Sequence, residues 1–91
     1  MKVYHVYECF YVYDEPWYPN TETERIYSTL ESAREYGNAL VKEALDDGYE
    51  FDYEDADEGE TPMFQDNEWV KNFGSYDDDD LRIYIDECEL M

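Results

Sequence analysis

Positive charge is what this sequence has least of. Six Lys and Arg stand against 26 Asp and Glu, with a single His, and the formal net charge is −20 over 91 residues. A chain this acidic repels phosphate, which excludes direct nucleic-acid binding as its role. It repels anionic membrane surfaces as well. Long apolar runs are also missing, and nothing approaches the ~20 residues that span a bilayer. The N-terminal Met1-Lys2-Val3-Tyr4-His5-Val6 lacks the apolar h-region and small-residue cleavage site of a secretory signal. The length fits one domain, expected in the cytoplasm.

The residues that carry most chemistry are equally scarce. The four Gly are isolated, so there is no phosphate-cradling loop. The one His, His5, lies in a strand-like run and reads as a half-buried strand residue. Ser28 reads as a helix cap, which leaves no nucleophile and base to pair. Cys9 and Cys88 are too few for a disulfide framework and form no local C-x-x-C motif. They read as two small reduced residues, with a bridge between neighbouring terminal strands as the alternative. The run Asp55-Ala56-Asp57-Glu58-Gly59-Glu60 superficially resembles a calcium loop. Counted from Glu54, Gly59 falls at position 6, but Ala56 occupies position 3 and Gln65 position 12, so the pattern fails. Among 26 acids close carboxylate pairs are inevitable and carry no information about glycosidase chemistry. The expectation is a protein without catalytic residues, metal or cofactor.

What the sequence does have is aromatic and β-branched residues. It is 43% hydrophobic, with eleven Tyr, four Phe and two Trp. Each aromatic can bury on the order of 150–250 Å². That is enough to hold a compact core despite a charge that would otherwise favour disorder.

Residues 2–13 form the clearest strand, rich in Val and Tyr and free of Gly and Pro. Residues 14–24 contain two Pro and an Asn and read as a loop. Arg25-Ile26-Tyr27 reads as a short second strand antiparallel to the first. Ser28-Thr29-Leu30-Glu31 has the form of a capping box, opening a helix over 29–46. Its apolar stripe is Leu30, Ala33, Gly37, Leu40, Val41 and Ala44. Gly37 in mid-helix implies close approach to a sheet, and Gly48 is a natural stop. Tyr49, Phe51 and Tyr53 alternate with acids as a short edge strand would. Residues 69–73 and 81–90 read as the last two strands, joined by a loop with four Asp. The expected fold is α+β: an antiparallel sheet of about four strands with one helix on one face, in the order ββα followed by a β-hairpin.

The acids are not spread evenly. Between Lys42 and Lys71 there are twelve acids and no Lys or Arg. The candidate surface is Glu43, Asp46, Asp47, Glu50, Asp52, Tyr53, Glu54, Asp55, Asp57, Glu58 and Glu60, together with Asp77, Asp78, Asp79 and Asp80. Solubility needs a net charge of only ~2–8 in a small domain, and −20 goes far beyond that at a cost in self-repulsion. Carboxylates on alternate strand residues repeat every ~6.6 Å. Those one helical turn apart, such as Glu31 with Glu35 and Glu43 with Asp47, repeat every ~6 Å. Both spacings are comparable to successive phosphates along a nucleic-acid strand. Exposed Tyr49, Phe51, Tyr53, Trp17 and Tyr18 would supply anchors among the acids, where bases stack or Arg pairs; core or sheet-face packing is the alternative for these rings.

The size, the charge and the runs EFDYEDADEGE and DDDD resemble small acidic phage-encoded DNA-mimic inhibitors. These include anti-CRISPR and anti-restriction proteins and uracil-DNA glycosylase inhibitors. The resemblance covers the whole chain loosely and rests on no shared motif. It implies a stoichiometric inhibitor of a host defence or DNA-processing enzyme, occupying a basic cleft as monomer or homodimer. A halophilic origin, in which the acids serve only solvation, is the second reading. A small adaptor using a sheet edge is the third.

Overall fold

The computed structural model describes residues 1–11, 18–54, 56, 58–65, 68–75 and 79–89. The chain forms β1 (Lys2–Tyr11), β2 (Tyr18–Pro19), β3 (Arg25–Tyr27), α1 (Leu30–Asp46), β4 (Glu50–Phe51), β5 (Val70–Gly74) and β6 (Asp80–Glu89). All strand pairings are antiparallel. β1 and β6 are the long central pair, in register from Lys2 opposite Glu89 to Tyr11 opposite Asp80. β5 and β4 follow on one side, and β2 and β3 pair with the other edge of β1. β2 sits against Cys9 and Phe10 and β3 against Tyr4 to Val6. They are two pieces of one interrupted edge strand, so the sheet is five positions wide. That is one more than the sequence implied. The architecture is the α+β sheet-and-helix arrangement expected.

Alternation along the strands decides what faces the helix. Val6 and Phe10 of β1, Leu81, Ile83 and Ile85 of β6, and Phe73 of β5 lie on one face by register. They pack with Ala33, Leu40, Val41 and Ala44 of α1 and with Phe51. Phe64, from the segment after β4, completes this core. A Cβ at Gly37 would lie 3.1 Å from two ring carbons of Phe64 and 3.4 Å from Ile85. The glycine therefore makes room chiefly for that inserted ring, and for the sheet only second. The Phe64 N–H donates to Asn38 Oδ1 at 2.6 Å, fixing the insertion.

The helix is capped one residue later than the sequence implied. Thr29, in extended conformation, accepts from the Ser32 N–H, so Ser28 is not the cap and Glu31 falls outside a capping box. Two adjacent hydroxyl residues both suit that position, and only the geometry separates them. The helix end agrees with expectation. Gly48 has φ +96°, the Tyr49 N–H donates to the Ala44 carbonyl, and the Gly48 N–H donates to that of Leu45. This is the Schellman arrangement.

Among the described residues no helix covers the opposite face of the sheet. His5, Tyr7 and Tyr84 form a row there, with ring centroids 4.6 and 5.1 Å apart. His5 is half-buried, as expected, and its Nε2 lies 2.8 Å from Glu24. Cys88 pairs in register with Val3, while Cys9 pairs with Arg82. The two cysteines are thus about 20 Å apart along the ladder, too far for a disulfide, and both are free.

Candidate functional site

Three chain segments bring acids to one end of the slab-shaped molecule, which measures 41 × 30 × 20 Å. The last turn of α1 contributes Glu43 and Asp46, followed by the cap residue Asp47. Three residues later Glu50 opens β4. Glu50 pairs with Gly74, and Gly74 pairs with Asp80. Glu50 and Asp80 therefore flank one glycine in a single cross-strand row, about 10 Å apart. The Ser75 N–H donates to the Asp79 carbonyl at 2.8 Å, and the Asp79 N–H donates to Ser75 Oγ at 3.2 Å. This reciprocal closure holds the strand-joining turn that presents Asp79 and Asp80. Glu43, Asp46, Asp47, Glu50 and Asp80 are exposed. None of these five has an ion-pair partner among the described residues.

The helix end is the least favourable place for such charges. The C-terminal carbonyls already present partial negative charge, and an acid there costs roughly 0.3–1 kcal/mol. The last turn of α1 holds no basic residue. Acids are placed here against the local electrostatics of the helix.

Other expected site residues are arranged differently. Glu50, Asp52 and Glu54 do not form an alternating row on a strand, because β4 ends at Phe51. The Glu54 N–H donates to Asp52 Oδ1 and the Tyr53 N–H to the Phe51 carbonyl, which turn the chain away. Tyr53 is 66% exposed, with its ring edge-on to that of Phe51, whereas Phe51 is buried in the core and Tyr49 packs against that core. Glu58 is exposed. Glu60 faces inward. Asp55, Asp57, Asp77 and Asp78 lie outside the described residues, as does Trp17.

Glu60 turns toward a residue that sequence reasoning treated only as a boundary. Lys71 is fully buried. Its Nζ lies 2.9 Å from Glu68 and 3.8 Å from Glu60, and donates to the Thr61 carbonyl at 2.8 Å. The rings of Phe51 and Phe64 lie within 6 Å of the ammonium. Partial burial pushes the Glu68 carboxyl up, but the Lys71 hydrogen bond, the Gln65 N–H and the Lys71 charge outweigh it, and the net shift is down. Lys71 pins Glu60, Thr61 and Glu68 to the core.

Glu8 was also missed. It lies on the helix-facing side of β1 and is only 7% exposed. Its Oε1 accepts from Asn20 Nδ2 at 3.1 Å and from Thr23 Oγ1 at 2.8 Å. The signal for both residues was period two: Glu8 shares parity with Val6 and Phe10, and Lys71 with Phe73.

Among the described residues no group of His, Cys, Asp and Glu is placed to hold a metal ion. No helix there is long and apolar enough to cross a membrane. Compared with protein-family models, curated proteins and solved structures, the chain matches none.

Proposed function

We propose that this protein is a non-enzymatic inhibitor that imitates the charge of nucleic acid. It would block the basic DNA- or RNA-binding cleft of a host defence or DNA-processing protein, such as a nuclease or CRISPR effector, in the cytoplasm of a bacterial host. One observation carries the reading. The acids of the helix end, β4 and the β5–β6 turn lie at one exposed end, Glu50 and Asp80 on the helix-free face by register, and the helix bears its own acids where its dipole opposes them. Solubility alone does not require that placement, because charge spread over the slab would serve equally well. A basic cleft supplies the missing countercharge, steers association and releases the self-repulsion on binding.

The test is capture of binding partners at low salt. The expected partners are nucleic-acid-binding proteins that a DNA duplex or raised salt releases. Charge reversal to Lys at Asp46, Asp47, Glu50 and Asp80 should abolish capture while the chain stays folded. Loss only on reversal of Asp52, Glu54, Asp55 and Asp57 would move the surface to the segment after β4. Recovery of no nucleic-acid-binding protein would end the proposal.

A further inference from the structure

We infer that the cavity between β1, the 20–23 loop and the C-terminal half of α1 is a guanidinium site that seats an arginine side chain of the basic partner. This rests on the function proposed above, because it names how that partner is gripped. The cavity measures about 230 Å³.

Its lining is divided. Phe10, Leu40, Ala44 and Leu81 give apolar surface, while Glu8, Glu22, Glu43 and Asp47 bring carboxylates from the strand, the loop and the helix. Glu8 is the decisive member. More than nine-tenths of it is buried, yet no Lys or Arg among the described residues pairs with it. Only neutral groups reach it, and both donate to Oε1. Oε2 accepts from none of the described residues. Arg25, on the neighbouring strand, donates instead to the carbonyls of Glu22 and Glu24.

Glu8 is held through Oε1 by two neutral donors, which leaves the acceptor capacity of Oε2 for a cationic donor from outside. The carboxylate is also held rigidly. The Tyr36 hydroxyl donates to the Thr23 carbonyl at 2.6 Å, and Thr23 in turn donates to Glu8. The Glu22 N–H donates to Asn20 Oδ1, fixing the second donor. The site is organised before any ligand arrives.

The distribution of oxygens selects the ligand. They come from three elements, and among the described residues no three of them are placed to hold a metal ion. A planar guanidinium offers five donors in a fork, is weakly hydrated, and carries an alkyl stem that can lie on the apolar lining. A lysine ammonium is a compact, strongly hydrated point charge and matches less well.

The experiment is an NMR titration of the intact chain with Nα-acetyl-arginine N-methylamide. The lysine and norleucine counterparts are titrated in parallel. Saturable binding is expected, with shifts centred on Thr23, Leu40, Ala44 and Tyr49, and weaker binding of the lysine compound. Glu8→Gln should weaken binding by roughly tenfold or more. Glu89→Gln removes the same charge at the far end of β6 and should change it by less than about twofold. Equal affinity in Glu8→Gln, unsaturable shifts spread over the acidic surface, or equal binding of the norleucine compound would each overturn the site. If Glu8→Gln fails to fold, the exposed pair Glu43→Gln with Asp47→Asn replaces it, with the same expected loss and the same contrary result. The two proposals fail separately. Binding of the arginine compound here, by a protein that displaces DNA from no basic partner, keeps the site and removes the mimic. DNA displacement equally potent in wild type and Glu8→Gln keeps the mimic and removes the site.

Discussion

Lys71 is one of three lysines in the chain, and the fold buries it completely. Replacing it with Ala removes the one cation that reaches Glu60 and Glu68 among the described residues and leaves a void beside Phe51 and Phe64. Breaking a buried ion pair from one side costs about 3–5 kcal/mol, a large part of the ~5–15 kcal/mol that holds a typical domain. Lys71→Ala should be largely unfolded in a thermal melt at low salt. Lys71→Met keeps the volume, and the two half-buried glutamates can turn to solvent, so it should melt well above the Ala variant. Glu68 adds a pH signature. Its carboxyl is held below the ordinary range, so its contribution is complete above the usual carboxylate pKa and is lost as pH falls through its folded value. Acid unfolding followed by circular dichroism should be shallower below about pH 4.5 in Glu68→Gln than in wild type. Neither Lys71 nor the buried Glu8 stands out from composition, because a charge count ranks every Lys and Glu alike. Strand parity contains the information: Lys71 falls on the side of Phe73, and Glu8 on the side of Val6 and Phe10.

At the scale of elements, the long ones were legible and the short ones were not. β1, α1 and β6 announce themselves through sustained alternation or a continuous apolar stripe, and Gly48 marks the helix end. The five-residue β5 was also placed correctly to within one residue. The sheet edges were harder. β2 is two residues held by pairing with Cys9 and Phe10, a tertiary contact that leaves no local pattern. The alternation over 49–54 overstated β4, because the Asp52 side chain competes for the backbone and ends the strand. The helix supplies two tests. Asp46→Lys with Asp47→Asn replaces opposing charges with one cation near the carbonyl end, and should raise the melting temperature by an amount equivalent to about 1 kcal/mol. Gly37→Val forces a branched side chain against Phe64 and Ile85 and should cost about 2 kcal/mol or more, measured by urea unfolding. A neutral result there would mean that Phe64 is not wedged against the helix as described.

For the whole molecule the governing quantity is a net charge of −20 on a slab of 41 × 30 × 20 Å. Self-repulsion should make stability rise with salt over the first few tenths molar, as screening shortens to ~3–10 Å. A chain whose acids serve only a saline environment would instead stay unfolded until about molar salt, so the same melts separate the two origins of the charge. The sequence located the charge along the chain but not in space. It took the folded register of Glu50, Gly74 and Asp80, and the Schellman turn after α1, to show which acids share one end. The most direct measurement is displacement of labelled duplex DNA from a captured basic partner, comparing wild type with the Asp46, Asp47, Glu50 and Asp80 charge-reversal variant. Stoichiometric, salt-sensitive displacement by wild type, and none by the folded variant, is the predicted result. A ternary complex in which the partner holds both DNA and this protein would contradict it.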